Sequence, residues 1–165
     1  MSITTLRLSL IWITFMVGIN PLADSPAIAA DSLDVWIGTG RSLASKGIYH
    51  CRLDTESGKL SEASLAAEVS GPGFLAMHPN GNHLYAVGTL KKVPSVISYK
   101  IERAGSDATL TLDGAVPIGD GGASHVAVDE TGSTVLTAQY GGGSVAAYRL
   151  NPDGSLGEQT VLIEH

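Results

Sequence analysis

The sequence repeats itself, and the repeat limits the fold more than any other feature does. The stretch Gly73 to Gly81 (GFLAMHPNG) aligns with Ser124 to Gly132 (SHVAVDETG), a period of about 50 residues. The next segments stay in step: Leu84 to Val87 against Val135 to Ala138, then Ser95 to Tyr99 against Ser144 to Tyr148. A partial earlier copy holds Val35 to Gly38, Gly47 to Leu53 and Ser57 to Leu60, the last mirrored by Asp153 to Leu156. Each unit reads as four short strands, A to D. Asn80-Gly81 and Thr131-Gly132 turn A into B, and Ser57-Gly58 and Asp153-Gly154 turn C into D. Strands are predicted near Val35 to Gly38, Ile48 to Leu53, Phe74 to Met77, Leu84 to Val87, Val96 to Lys100, Val126 to Val128, Val135 to Ala138 and Val145 to Leu150. No helical apolar period occurs outside the N-terminal stretch.

Four-stranded units at this period imply an all-β protein, a β-propeller of four-stranded blades with about two and a half blades present. A β-sandwich is the competing architecture, but nothing in a sandwich requires strand and turn patterns to recur at a fixed period. Propellers close with typically four to eight blades. The expectation is therefore that the folded unit continues beyond His165, or else that several copies assemble. Raw strand edges would otherwise make the isolated chain prone to aggregate.

The first thirty residues read differently. Arg7 supplies a positive start, Leu8 to Val17 is apolar except for Ser9 and Thr14, and Ala27-Ile28-Ala29 has the small-x-small pattern of a cleavage site. Residues 1–30 are thus expected to be a cleaved signal peptide and 31–165 the propeller domain, exported to the periplasm or outside the cell. A membrane anchor would need ~20 apolar residues, and Asn20, Pro21 and Asp24 end this run first. No second run of membrane length occurs, so no stable span is expected after cleavage.

A net charge of −6 without a Lys/Arg block excludes the electrostatic footprint of a nucleic-acid binder. Cys51 is the only cysteine, which removes an internal disulfide and any cysteine-built metal site and suggests a small buried hydrophobe. No zinc spacing emerges, and Asp153-Gly154 lacks the alternating carboxylates of a calcium loop. The Gly-rich segments lack the strand-to-helix setting of phosphate loops. No metal and no cofactor are expected. The oligomeric state is left open.

One ordered series of motifs resembles the propeller lactonases of the 6-phosphogluconolactonase type, which in turn resemble carboxymuconate cyclases. It runs through Val35-Trp36-Ile37-Gly38-Thr39, Ser45-Lys46-Gly47-Ile48-Tyr49, Phe74 to Gly81 with Leu84 to Val87, His125 to Asp129, Tyr140 to Val145 and Asp153 to Gly157. The resemblance implies a seven-bladed ring of which this chain is the N-terminal part, and hydrolysis of a small-molecule lactone. The departures lie in the loops from B to C and from D to the next A, which gather at one mouth of the channel. Gly40 stands where an aromatic is common, Gly88-Thr89 where Asn-Glu is common, Ala123 where Pro is usual and Gln139 where Asn is usual.

His125 fills the slot that Phe74 holds one blade earlier, exchanging a hydrophobe for a group that titrates near neutral pH. It either takes a proton from water as a general base, the role implied by the cleft histidine it matches, or hydrogen-bonds a neighbouring loop to stiffen the blade. Tyr140 with Gly141, Gly142 and Gly143 forms a B to C loop. Its backbone N–H groups are unshielded and can face a developing oxyanion, though glycine also simply permits a tight turn. Gln139 and Tyr140 are candidate substrate hydrogen-bonders. Arg41, Lys46, Lys91 and Lys92 lie in equivalent loops and could hold a phosphate or carboxylate, or be merely solvated; of these Arg41 is expected to bind substrate. His78, His83 and His50 read as structural. The expected function is opening of a sugar-acid lactone by water with His125 as base. The alternative is a non-catalytic scaffold or binding module, or an inactive truncated fragment.

Overall fold

In the segments Leu84-Tyr85-Ala86-Val87 and Val96-Ile97 successive residues are all apolar, which an amphipathic strand would not need but a strand buried on both faces would. The structure, a computed structural model, describes residues 32–40, 44–105 and 107–165. The signal-peptide expectation for residues 1–30 and the candidate Arg41 lie outside these.

The regular elements described are all strands: β1 (Ser32–Ile37), β2 (Gly47–Asp54), β3 (Ser64–Glu68), β4 (Ser70–Met77), β5 (His83–Leu90), β6 (Val93–Ala104), β7 (Asp107–Pro117), β8 (His125–Val128), β9 (Thr134–Gln139), β10 (Ser144–Leu150) and β11 (Leu156–Glu164). They form three antiparallel sheets in sequence order, β1-β2-β3, β4-β5-β6-β7 and β8-β9-β10-β11. All eight predicted strands are present, and β3, β7 and β11 are the outermost D strands. The sequence repeat is also a repeat of register: Phe74 pairs Val87 as His125 pairs Ala138, and Gly88 pairs Ser95 as Gln139 pairs Ser144. The all-β propeller architecture is as expected.

The middle blade is sandwiched, and this explains its uninterrupted apolar runs. Leu84, Ala86, Ile97 and Tyr99 face the first sheet and meet Ile48 and Val69. Tyr85, Val87 and Val96 face the last sheet and meet Val126, Val135, Ala146 and Tyr148. Each such aliphatic side chain contributes ~1.5–3 kcal/mol on burial. Burial also pushes the Tyr99 phenol up to about 12, because it penalises the phenolate. Cys51 is buried and free, the small hydrophobe expected.

Polar groups tie the blades together as well. Asp34 of β1 accepts from His50 Nε2 at 2.9 Å and Arg52 Nη1 at 2.8 Å within its own sheet, and from Arg103 Nε of β6 at 3.0 Å in the next. Burial alone would raise its carboxyl, but the hydrogen bonds from His50, Arg103 and Arg52 outweigh that and hold it below its ordinary 3.8. A carboxyl depressed in the folded state favours folding above its unfolded value, and the gain disappears as pH falls through the folded one. Melting temperature should therefore decline on acidification below about pH 4, and Asp34→Asn should flatten that decline. An unchanged pH profile in the variant would remove Asp34 from the account.

At the end carrying the A to B and C to D turns, two histidines of the middle blade lie under two glycine turns of the last one. His78 Nε2 is 3.1 Å from the Gly132 carbonyl oxygen, and the Tyr85 hydroxyl donates to the Gly154 carbonyl. His83 is buried, with its Nε2 3.5 Å from Asp113 Oδ2, an ion-pair distance that makes no hydrogen bond. Burial pushes the His83 pKa down, with the Asp113 charge opposing it. His50, His78 and His83 are thus all buried structural groups.

Candidate active site at the channel mouth

His125 opens β8, where the Ser124 N–H donates to the Ala138 carbonyl at 2.8 Å and starts the innermost strand of the last blade. Its side chain is exposed. The imidazole lies 4.9 Å, centroid to centroid, from the ring of Phe74, tilted by 54°. The two residues that exchange identity between blades are thus direct neighbours. Among the described residues the imidazole has no hydrogen-bonding protein partner, so no loop is braced by it.

The register sets His125 opposite Ala138, two residues before Tyr140. Tyr140 stands 91% exposed at the start of the B to C loop. The loop closes through the Gly143 N–H donating to the Gln139 carbonyl at 2.9 Å, with Gly143 at φ +72°, a left-handed turn that suits glycine. Gln139 itself is 1% exposed. Its Nε2 donates to Thr137 Oγ1 at 2.7 Å and its Oε1 accepts from Ser144 Oγ at 3.3 Å. In this arrangement Gln139 braces the loop from beneath, and Tyr140, Gly141 and Gly142 form its outward part.

Asp120 was not among the sequence candidates. It comes from the D to A loop, accepts a hydrogen bond from Ser144 Oγ, and lies so close over Gly142 that a β-carbon there would overlap its carboxylate. Gly142 is therefore glycine because a neighbouring loop occupies the space. The carboxylate, Ser144 and Gln139 together pin the loop whose N–H groups were the oxyanion candidates.

Below His125 the outward face of the last sheet forms an apolar concavity of about 490 Å³, lined by Ala127, Leu136, Ala138, Val145, Val161 and Ile163 among others. This is a sheet face with chemistry only at its His125 rim. Among the described residues no cluster of His, Cys, Asp or Glu could hold a metal, and no helix is long and apolar enough to cross a membrane.

Repeated four-stranded antiparallel sheets, with a histidine and a braced glycine loop at one end, define a β-propeller with a furnished mouth. Residues 34–165 match the family model "Lactonase, 7-bladed beta-propeller", and the chain belongs to that family. It is 34% identical over 125 residues to the 6-phosphogluconolactonase of Bacillus subtilis, covering 73% of this chain and 34% of that protein. A Lactobacillus plantarum protein of known structure superposes with a TM-score of 0.68 at 27% identity, over 81% of this chain and 38% of the other. The Pseudomonas aeruginosa periplasmic gluconolactonase PpgL shares the fold, with a TM-score of 0.70 at 22% identity over 81% of this chain and 39% of that one. The chain spans about a third of the length of the curated relative in Bacillus subtilis.

Proposed function

We propose that these blades form part of the mouth of a hydrolase that opens a sugar-acid lactone, the reaction class named by the Bacillus subtilis relative. The observation that carries the reading is the exposed His125 imidazole, held against Phe74 and without a hydrogen-bonding protein partner among the described residues. His125 takes a proton from water as the water oxygen attacks the ring carbonyl. The carbonyl oxygen becomes an oxyanion facing the N–H groups of the Gly141–Gly142 segment, which Asp120 holds in place. As the tetrahedral species collapses, the ring C–O bond breaks and the imidazolium returns its proton to the departing alkoxide, giving a hydroxy acid. Water is the nucleophile and no redox partner is needed. Tyr140 touches substrate in this scheme, with Arg41 as a further substrate-binding group and Gln139 acting through the loop it supports.

Hydrolysis of gluconolactone and of its 6-phosphate by the full chain, read as acid release against buffer, tests this. Rates at the buffer level for both and for related lactones would leave the scaffold reading. That second reading has a specific support: at Gly88, where the family commonly carries a larger residue, a β-carbon would already lie 3.2 Å from the Ser70 carbonyl oxygen and 3.3 Å from Val69.

The same reading assigns residues 1–30 to export and 31–165 to the propeller. An unphosphorylated lactone fits that compartment better, because sugar phosphates are made and consumed inside cells. N-terminal sequencing of the protein from its producing cell should begin at Ala30 or Asp31; a chain beginning at Met1 or Ser2 would contradict export with cleavage.

A further inference from the structure

The middle blade sets two histidines under two glycine turns of the last blade, and the two differ in how their rings are engaged. His78 uses both ring nitrogens: Nδ1 accepts from the Asn80 N–H at 3.1 Å, which leaves Nε2 to donate to the Gly132 carbonyl at 3.1 Å. Among the described residues neither ring nitrogen of His83 has a hydrogen-bond partner, and the same holds for Asp113 Oδ2. Buried polar atoms left in this state call for an explanation. The repeat does not demand a histidine here, because the register sets His83 opposite Lys100 where the last blade sets Thr134 opposite Arg149. A group that titrates near neutral pH thus stands where the fold accepts a threonine.

The surroundings favour a neutral ring. Five titratable groups face it: His78 at the end of β4, Tyr85 on β5, Lys100 on β6, Asp113 on β7 and Asp153 in the turn from β10 to β11. Asp113 brings its Oδ2 to 3.5 Å from Nε2, but Lys100 Nζ already holds the other oxygen at 3.2 Å. Asp153 also attracts a proton, His78 and Lys100 oppose one, and the Tyr85 phenol, pushed up by burial, stays neutral. Burial outweighs the two carboxylates and holds His83 below its ordinary 6.5. On the Nδ1 side the Gly154 turn closes over the ring so tightly that a β-carbon there would lie 2.7 Å away. A protonated ring carries an N–H on both nitrogens, and the one on Nδ1 would press into this turn, where no acceptor among the described residues meets it.

We propose that His83 is a proton-operated latch between the middle and last blades: the neutral ring seats the Gly154 turn, and a proton on the ring unseats it. The sheet so loosened, β8-β9-β10-β11, is the one that carries His125 and the glycine loop, so mild acid is coupled to the order of the mouth. The latch stands whether or not that mouth hydrolyses a lactone. Well above 6.5 the ring is neutral with the turn seated or released, and the joint is whole. As pH falls below 6.5 the released ring takes up the proton more readily than the seated one, and seating is progressively lost. This window lies above the one in which Asp34 acts.

The test is hydrogen exchange by NMR on the full chain at about pH 7.5 and about pH 5.5, corrected for intrinsic exchange. The Gly154 and Asn151 amides report on the turn, since they donate to the Asn151 and Ser155 carbonyls. Their opening constant should rise ~5–10-fold on acidification, while that of the Gly132 amide, in the turn over His78, stays within ~2-fold. The His83 ring, followed in the same samples through its Cε1–H shift, should titrate below 6.5. His83→Gln, which cannot titrate, should make the opening of the Gly154 turn the same at both pH values. Asp113→Asn keeps the histidine and removes an attracting charge, so the rise should grow toward its ~10-fold limit, and this variant serves even where His83→Gln fails to fold. A His83 midpoint at or above 6.5, an equal rise at the two turns, a response that survives His83→Gln, or one that shrinks in Asp113→Asn would each overturn the proposal.

Discussion

Replacing His125 by Gln is expected to lower lactone hydrolysis by ~10²-fold or more while leaving the melting temperature nearly unchanged. Gln keeps much of the volume and the polarity but cannot take a proton from water near neutral pH. The structure sharpens the contrast with a bracing role. A bracing histidine would be buried with its ring nitrogens engaged, as His50 and His78 are. His125 is exposed and its ring contact is with Phe74. Loss of that contact is worth about 0.5–1.5 kcal/mol, too little to mimic the loss of a base. Hydrolysis rate per folded molecule and thermal melts, measured together on wild type and variant, separate the roles. A rate that holds while the melt falls would make His125 structural.

Whatever recurs was legible in the sequence. Strands B and C of the middle blade carry apolar residues into cores on both faces, so Leu84 to Val87 stand out, and their counterparts Val135 to Ala138 repeat the pattern. The D strands do not. Ser64 to Glu68 has partly covered residues at Ala66 and Ala67 with Leu65 exposed, and nothing in Leu156 to Glu164 is fully buried, so neither faces enough core to impose a clear alternation. The C to D turn of the middle blade hides for a related reason. It sits at the tip of a hairpin lengthened to 12 and 11 residues, with Gly105 at φ +63°, and no other unit matches it. At the mouth, His125 was visible because it breaks a repeat that Phe74 sets. Asp120 was not, because it acts on Ser144, 24 residues away, through a fold-dependent contact. The one available signal was its place: a lone carboxylate in a D to A loop, where the mouth loops gather. The buried state of Gln139 was equally illegible, since its neighbours Thr137 and Ser144 become its partners only once β9 and β10 are paired.

Gly154→Ala should destabilise the protein by about 3 kcal/mol. Two causes combine. Gly154 sits at φ +90°, where a β-carbon is strained by roughly 1–2 kcal/mol. That carbon would also lie 2.7 Å from His83 Nδ1 and 3.1 Å from its Cε1. His83 cannot swing aside into solvent, because it is buried with its ring stacked against Tyr85 at 6.5 Å and 13°. Nor can the turn lift away freely, since the Tyr85 hydroxyl holds the Gly154 carbonyl from the middle blade. The turn of one blade is thus seated on the ring of another, and the strain falls on the joint that fixes the two blades relative to each other. A double-mutant cycle isolates that joint. In a His83→Ala background the overlap is gone and only the backbone strain remains, so the added cost of Gly154→Ala should drop to about 1–2 kcal/mol. Equal costs in the two backgrounds, measured by denaturant unfolding, would mean that His83 does not support the turn, and the seated-blade account of this interface would have to be abandoned.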